Sequence, residues 1–181
     1  MSTRARRVGM FGGAFDPPHN AHVALVSAAL AQLQLDELRV VPTGHAWHKP
    51  RPLTSALHRL AMCQLAFGAL PGVVVDDRET RRAGPTYTID TLRELAAEQP
   101  GAQLYLVMGA DQARALPTWH RWQDLLPVAT ISIADRQQPV RVGTGCDAKD
   151  YPHGRFAPLQ VPLMPVSATQ VRALAAKPHN T

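Results

Sequence analysis

Two histidines three residues apart, His19 and His22, follow a paired glycine, Gly12-Gly13, and the turn-forming run Asp16-Pro17-Pro18. At that spacing both imidazoles fall on one face of the first turn of a helix. A helix start also presents unpaired N–H groups and the positive end of its dipole, which together attract phosphate. Glycine carries no Cβ, so the backbone at Gly12 and Gly13 can come close to a ligand. The chemistry this set suits is the binding of phosphate anions. The same histidines with Asp16 could instead hold a metal, but no clear third ligand stands at helical spacing and no His-Glu-x-x-His pattern occurs. The chain contains neither G-x-G-x-x-G nor G-x-x-x-x-G-K-[ST], so neither familiar phosphate loop is in play.

The elements around this stretch must place it. Val8-Gly9-Met10-Phe11 reads as a strand running into the glycines, and Val23–Leu30 as the apolar body of a helix ending near Gln34. Glu37–Pro42 then reads as a second strand, apolar enough to be buried in a parallel sheet. A helix over about Ala56–Leu70 is expected, capped by Thr54 or Ser55, with Leu57, Leu60, Ala61 and Leu65 on its apolar face. Val73–Val75 is a third strand, and Arg78–Gly84 a charged surface connection. Thr86-Tyr87-Thr88 opens a helix with Ile89, Leu92 and Leu95 at core spacing. Leu104–Met108 is a fourth strand, and Leu116–Trp122 begins a further helix. Thr130–Ala134 and roughly Phe156–Leu163 complete the strands, separated by a polar, turn-rich stretch. Strands alternating with helices predict an α/β fold with a doubly wound parallel sheet, in one domain over residues 1–181.

Composition narrows the partners. A formal net charge of +5 favours anionic ligands without telling a nucleotide from a nucleic acid. No predicted face interleaves aromatic and basic residues, which argues against a nucleic-acid-binding module. Arg4, Arg6 and Arg7 lead into too short an apolar run for a signal peptide, and no run is long enough to span a membrane. Cys63 and Cys146 make no metal spacing, so a reduced, cytoplasmic setting is the expectation.

The first stretch resembles the G-G-x-F-D-P-x-H-x-G-H signature of the adenylyl- and cytidylyltransferase superfamily, with Ala21 where glycine is usual. Ser167-Ala168-Thr169-x-x-Arg172 resembles its second signature, I-S-[SA]-T-x-x-R. There hydroxyls and free N–H groups again open a helix, and an arginine one turn in adds charge-assisted hydrogen bonds to phosphate. Two further matches point to one branch, the nicotinate-mononucleotide adenylyltransferases. Thr86-Tyr87-Thr88-x-x-Thr91-Leu92 resembles its Ser-Tyr-Thr-x-x-Thr-Leu motif, and Gly109-x-Asp111 followed by Pro117-x-Trp119 matches a second. The chain ends soon after the second signature, so the further C-terminal helix usual in the family looks short or absent.

This resemblance implies a Rossmann-like nucleotidyltransferase fold. It implies adenylyl transfer from ATP to nicotinate mononucleotide, giving the deamido dinucleotide and pyrophosphate, in NAD biosynthesis. His19, His22, Lys49 and Arg172 would act on the phosphates, Lys49 from a proline-broken loop that otherwise reads as an exposed basic one. Gly12, Gly13, Phe15, Ser167, Thr169 and Arg136 would line the ATP site. Asp111 would hold the ribose hydroxyls, though a helix N-cap is its plainer role. Thr86, Tyr87 and Trp119 would bind the mononucleotide, Trp119 by stacking on the pyridine ring. Tyr87 alone would read as a packing residue. Mg²⁺ would come with ATP, held mainly by triphosphate and water, with no protein metal site. The attacking phosphate has a second pKa of about 6, so no side-chain base is required. A sister transferase acting on nicotinamide mononucleotide or phosphopantetheine is the alternative. Monomer and homo-oligomer both remain open.

Overall fold

The computed structural model describes residues 3–44, 51–134, 142–143, 148–162 and 167–176. Six strands form one parallel sheet: β1 (Arg7–Gly13), β2 (Glu37–Pro42), β3 (Val73–Val75), β4 (Gln103–Gly109), β5 (Thr130–Ala134) and β6 (Phe156–Leu159). Their order is β3-β2-β1-β4-β5-β6, all parallel. The chain therefore reverses direction across the sheet between β1 and β4, and crevices at such a reversal bind ligands beyond the strands' carboxyl ends.

Alternation along the strands builds two cores. In β4, Leu104, Leu106 and Met108 face one side, where they meet Val8 and Met10 of β1. Tyr105 and Val107 face the other side with Phe11. The first core is covered by α4 (Thr88–Glu98) and α5 (Ala110–Ala115), through Ile89, Leu92, Leu95 and Ala113. The second is covered by α1 (Asn20–Gln32) and α2 (Ala56–Phe67), through Leu25, Val26, Ala29, Cys63 and Phe67. Helices on both faces of a parallel sheet are the doubly wound arrangement expected from the sequence. Two shorter helices follow β3 and β6: α3 (Arg78–Arg81) and α6 (Ala168–Ala175).

Several local expectations are corrected. Helix α2 ends at Phe67 and faces the other way: Arg59, Cys63 and Phe67 are buried, whereas Leu57 and Leu65 are 75% and 87% exposed. The inward stripe at i, i+4, i+8 begins with an arginine, so the leucines drew the apolar face to the wrong side. The segment after β3 is more than a surface link. It holds α3, and Glu79 in it is buried and accepts a hydrogen bond from the Thr91 hydroxyl at 3.0 Å. Arg78 ties it to the sheet and to α4, bonding Asp76 at 2.9 Å and Glu98 at 2.9 Å. Leu116–Trp122 forms no continuous helix. Pro117 sits in a 3₁₀ turn, Leu116–Thr118, and Trp122–Leu125 forms another after Arg121 turns left-handed at φ 51°. β6 stops at Leu159 and α1 at Gln32.

Candidate active site

Gly12 and Gly13 close β1, paired in register with Val41 and Pro42 of β2. The chain then turns through Phe15, which takes a left-handed φ of 49°. A bulky residue rarely adopts that conformation. Ring packing holds it: Phe15 is buried with its centroid 5.3 Å from Phe11, 5.8 Å from Phe67 and 5.1 Å from His22. Its ring is thus a core anchor, and only its backbone faces the turn. A Cβ added at Gly13 would meet that ring at 3.3 Å, whereas one at Gly12 would find only ordinary contacts. The room at Gly13 therefore serves Phe15 as well as any ligand.

Asp16 is buried at the turn's end. Its carboxylate accepts from the Thr54 N–H at 2.9 Å and from Arg51 at 3.1 Å. Burial alone would push its pKa up, but these donors outweigh burial and hold the group below the ordinary carboxylate value. Asp16 is thereby committed within the protein.

His19 is the N-cap residue of α1 and His22 lies one turn in. The His19 N–H donates to His22 Nδ1 at 3.1 Å, and the two rings stack with centroids 3.8 Å apart. An acceptor at Nδ1 places the proton of neutral His22 on Nε2, where it can donate outward. Burial, and then the neighbouring His19, pull the His22 pKa down to about 4; burial lowers that of His19 too. His19 Nδ1 is buried with no hydrogen-bond partner among the described residues, and buried polar atoms left unpaired are unusual without a ligand or water.

The second signature reaches the same place from the chain's far end. Ser167 caps α6 with a reciprocal pair: its hydroxyl accepts from the Gln170 N–H at 3.2 Å, and Gln170 Oε1 accepts from the Ser167 N–H at 3.1 Å. Arg172 donates to the Thr169 hydroxyl at 3.1 Å and to the carbonyl of Asp16 at 2.5 Å, across 156 positions of sequence. Gln112 closes the third side, donating to the Gly12 carbonyl at 3.0 Å and accepting from the Gly109 N–H at 3.3 Å. Gly109 caps α5, and a Cβ there would meet open space.

Asp111 is therefore the second residue of α5 and not its cap. It is exposed and paired with Arg114. The Thr86 hydroxyl lies 3.3 Å from that of Thr43, just past β2. Tyr87 caps α4 in extended backbone, and its ring stacks on His120 with centroids 4.1 Å apart. Trp119 is half-buried against the core under α4. Lys49 and Arg136 lie outside the described residues.

Sequence reasoning missed Arg59, Gln112 and His120. His120 had a signal in standing beside Trp119, and Gln112 in following Asp111. Arg59 had none, being one cation in a helix whose leucines suggest a different buried face. Among the described residues, no group of three or more His, Cys, Asp or Glu could hold a metal. The donors here are imidazoles, a guanidinium and helix-start N–H groups, and that set suits phosphate oxygens. No helix among the described residues is long and apolar enough to cross a membrane.

The cytidylyltransferase-like family model matches residues 10–174. The chain is 58% identical over 168 residues to a probable nicotinate-nucleotide adenylyltransferase of Albidiferax ferrireducens, covering 93% of this chain and 85% of that one. It is 44% identical over 168 residues to a protein of the same name from Methylibium petroleiphilum, covering 93% and 78%. In structure it is similar to the Plasmodium falciparum nicotinic acid mononucleotide adenylyltransferase complexed with NaAD, with a TM-score of 0.74 at 19% identity, covering 97% and 86%.

Proposed function

The chain belongs to the cytidylyltransferase-like family, and on that premise we propose that it transfers the adenylyl group of ATP to nicotinate mononucleotide, yielding the deamido dinucleotide and pyrophosphate in NAD biosynthesis. The curated relatives of high identity carry that activity in their names. One observation carries the site assignment: Arg172 bonds the carbonyl of Asp16, 156 positions away in sequence, and so ties the start of α6 to the turn that leads into α1.

A phosphate oxygen of the mononucleotide attacks the α-phosphorus of ATP. The new P–O bond forms as the bond to the β-phosphate oxygen breaks, and the electron pair leaves with pyrophosphate. The nucleophile is already ionised near neutral pH, so the protein's work is alignment and charge stabilisation. Neutral His22 donates from Nε2, and His19 and Arg172 donate beside it. Ser167 and Thr169 shape the α6 start, and Lys49 and Arg136 belong to the same phosphate set. Gly12, Gly13 and the Phe15 backbone form the wall against ATP. Asp111 turns from Arg114 to the ribose hydroxyls. Mg²⁺ bound with ATP would supply neutralisation of phosphate charge; among the described residues no group of three or more His, Cys, Asp or Glu could hold it, so the triphosphate and water would be its main ligands. We place this chemistry in one domain and in the cytoplasm, where a buried thiol such as Cys63 stays reduced.

The acid is chosen over the amide at the start of α4. N–H groups around Thr86 and Tyr87, at the helix's positive end, receive the carboxylate, and Trp119 stacks on the ring. Arg121, the one cation beside Trp119, is paired with Asp124 at 2.6 Å. Measuring kcat/KM for both pyridine mononucleotides in wild type and Trp119→Ala tests this reading. The wild type should prefer the acid clearly, and the variant should weaken both substrates by comparable factors. Equal use of acid and amide by the wild type would refute it.

A further inference from the structure

We infer that Arg59 is a positioning residue for the phosphate crevice, drawing inward the backbone carbonyls that would otherwise face the anion. The inference rests on the phosphate-binding reading given above. Arg59 lies on α2, outside both signatures, and is 2% exposed. Its Nε donates to the Thr54 carbonyl at 2.8 Å. One terminal nitrogen donates to Thr43 at 2.7 Å and Ala14 at 3.1 Å, and the other to Gly44 at 3.3 Å.

Three of these four acceptors share one property. The β1–β2 ladder ends where the Thr43 N–H bonds the Gly13 carbonyl at 2.8 Å, so the sheet supplies no donors for the carbonyls of Ala14, Thr43 and Gly44. Left unpaired they would carry a burial cost, and turned outward they would repel phosphate at the mouth that His19 and His22 open. A guanidinium is suited to the task because its fixed fork presents several donors in one plane. Among the described residues no carboxylate forms an ion pair with it. Burial pulls the Arg59 pKa down, and the nearby Asp16, whose carboxylate is bound to Arg51 and the Thr54 N–H, offsets only part of that. Arg59 thus also leaves a positive charge behind the wall that faces phosphate. Gly44 is fixed from its other side, since a Cβ there would lie 2.2 Å from the Glu79 carbonyl.

Arg59→Lys tests this, because a lysine keeps the charge but cannot span four carbonyls. Turnover should fall about 100-fold, the scale expected when a site is misplaced by about an ångström. The KM for ATP should rise several-fold more than that for nicotinate mononucleotide, whose site Arg59 reaches only through Thr43 beside Thr86. An unchanged kcat and ATP KM, or equal loss toward both substrates, would overturn the inference. Should that variant not fold, Arg59→Ala is assayed with and without added guanidinium ion below denaturing concentration. Recovered ATP-dependent turnover at constant thermal midpoint supports the role; no recovery, or recovery only in step with folded fraction, contradicts it. A wild type that releases no pyrophosphate would sink the reading of the site itself, whereas an active wild type with an unaffected Arg59→Lys would sink only this inference.

Discussion

The backbone N–H of His19 donates to His22 Nδ1 over 3.1 Å while the two imidazoles stack 3.8 Å apart, so the first helical turn locks its own second histidine. That lock sets the His22 tautomer before any ligand arrives. It also ties fold stability to pH. His22 has its pKa pulled down to about 4 by burial and by His19, against about 6.5 in an unfolded chain. Between those values the unfolded chain takes up a proton that the folded one refuses. Stability is then full above the upper value and is lost as pH falls toward the lower one. The loss should be about 2 kcal/mol between about pH 7.5 and about pH 5. Urea midpoints of His22→Gln should fall less over that interval than those of wild type. Parallel slopes would contradict the assignment. His22→Ala should also cost ~10²–10³ in turnover while remaining folded.

Arg172 holds Asp16 and Thr169 together, and α6 buries no side chain of its own. Its removal should therefore harm the site more than the fold. Arg172→Ala is expected to lose ~10²–10³ in kcat with the thermal midpoint little changed. Calorimetry beside steady-state kinetics separates the two effects; a large fall in midpoint with modest loss of turnover would make Arg172 a structural tie alone.

The sheet was legible because its strands are short apolar runs at regular spacing. Glu37–Pro42, Val73–Val75 and Thr130–Ala134 were placed to the residue. The two signatures were legible as motifs that should meet beyond the strands' carboxyl ends; the bond that ties them, Arg172 to the Asp16 carbonyl, was not. Nor was the inner wall of the site. In α2 the buried stripe runs through Arg59, and hydrogen bonds to carbonyls of other loops justify it there, so no local hydrophobic period marks it. Likewise Glu79 is buried because Thr91, twelve positions on, supplies its donor. Such partners are long-range facts that a linear reading cannot supply.

The reversed face of α2 makes its own prediction. Leu65→Lys should change stability by within about 0.5 kcal/mol, as surface substitutions do. Phe67→Ala, which empties a core site against Phe15, should cost about 3–5 kcal/mol. Chemical denaturation of both variants checks this, and a destabilised Leu65→Lys with a tolerant Phe67→Ala would restore the opposite orientation.

The central claim is adenylyl transfer to nicotinate mononucleotide, and its most direct measurement follows the α-phosphorus of ATP. Incubated with Mg²⁺, nicotinate mononucleotide and ATP labelled at that atom, the protein should move the label into the deamido dinucleotide, one per pyrophosphate released. Nicotinamide mononucleotide should be used clearly more slowly, and phosphopantetheine should accept no label. Label that stays in ATP, or that passes to phosphopantetheine in preference to the pyridine nucleotide, would contradict the account.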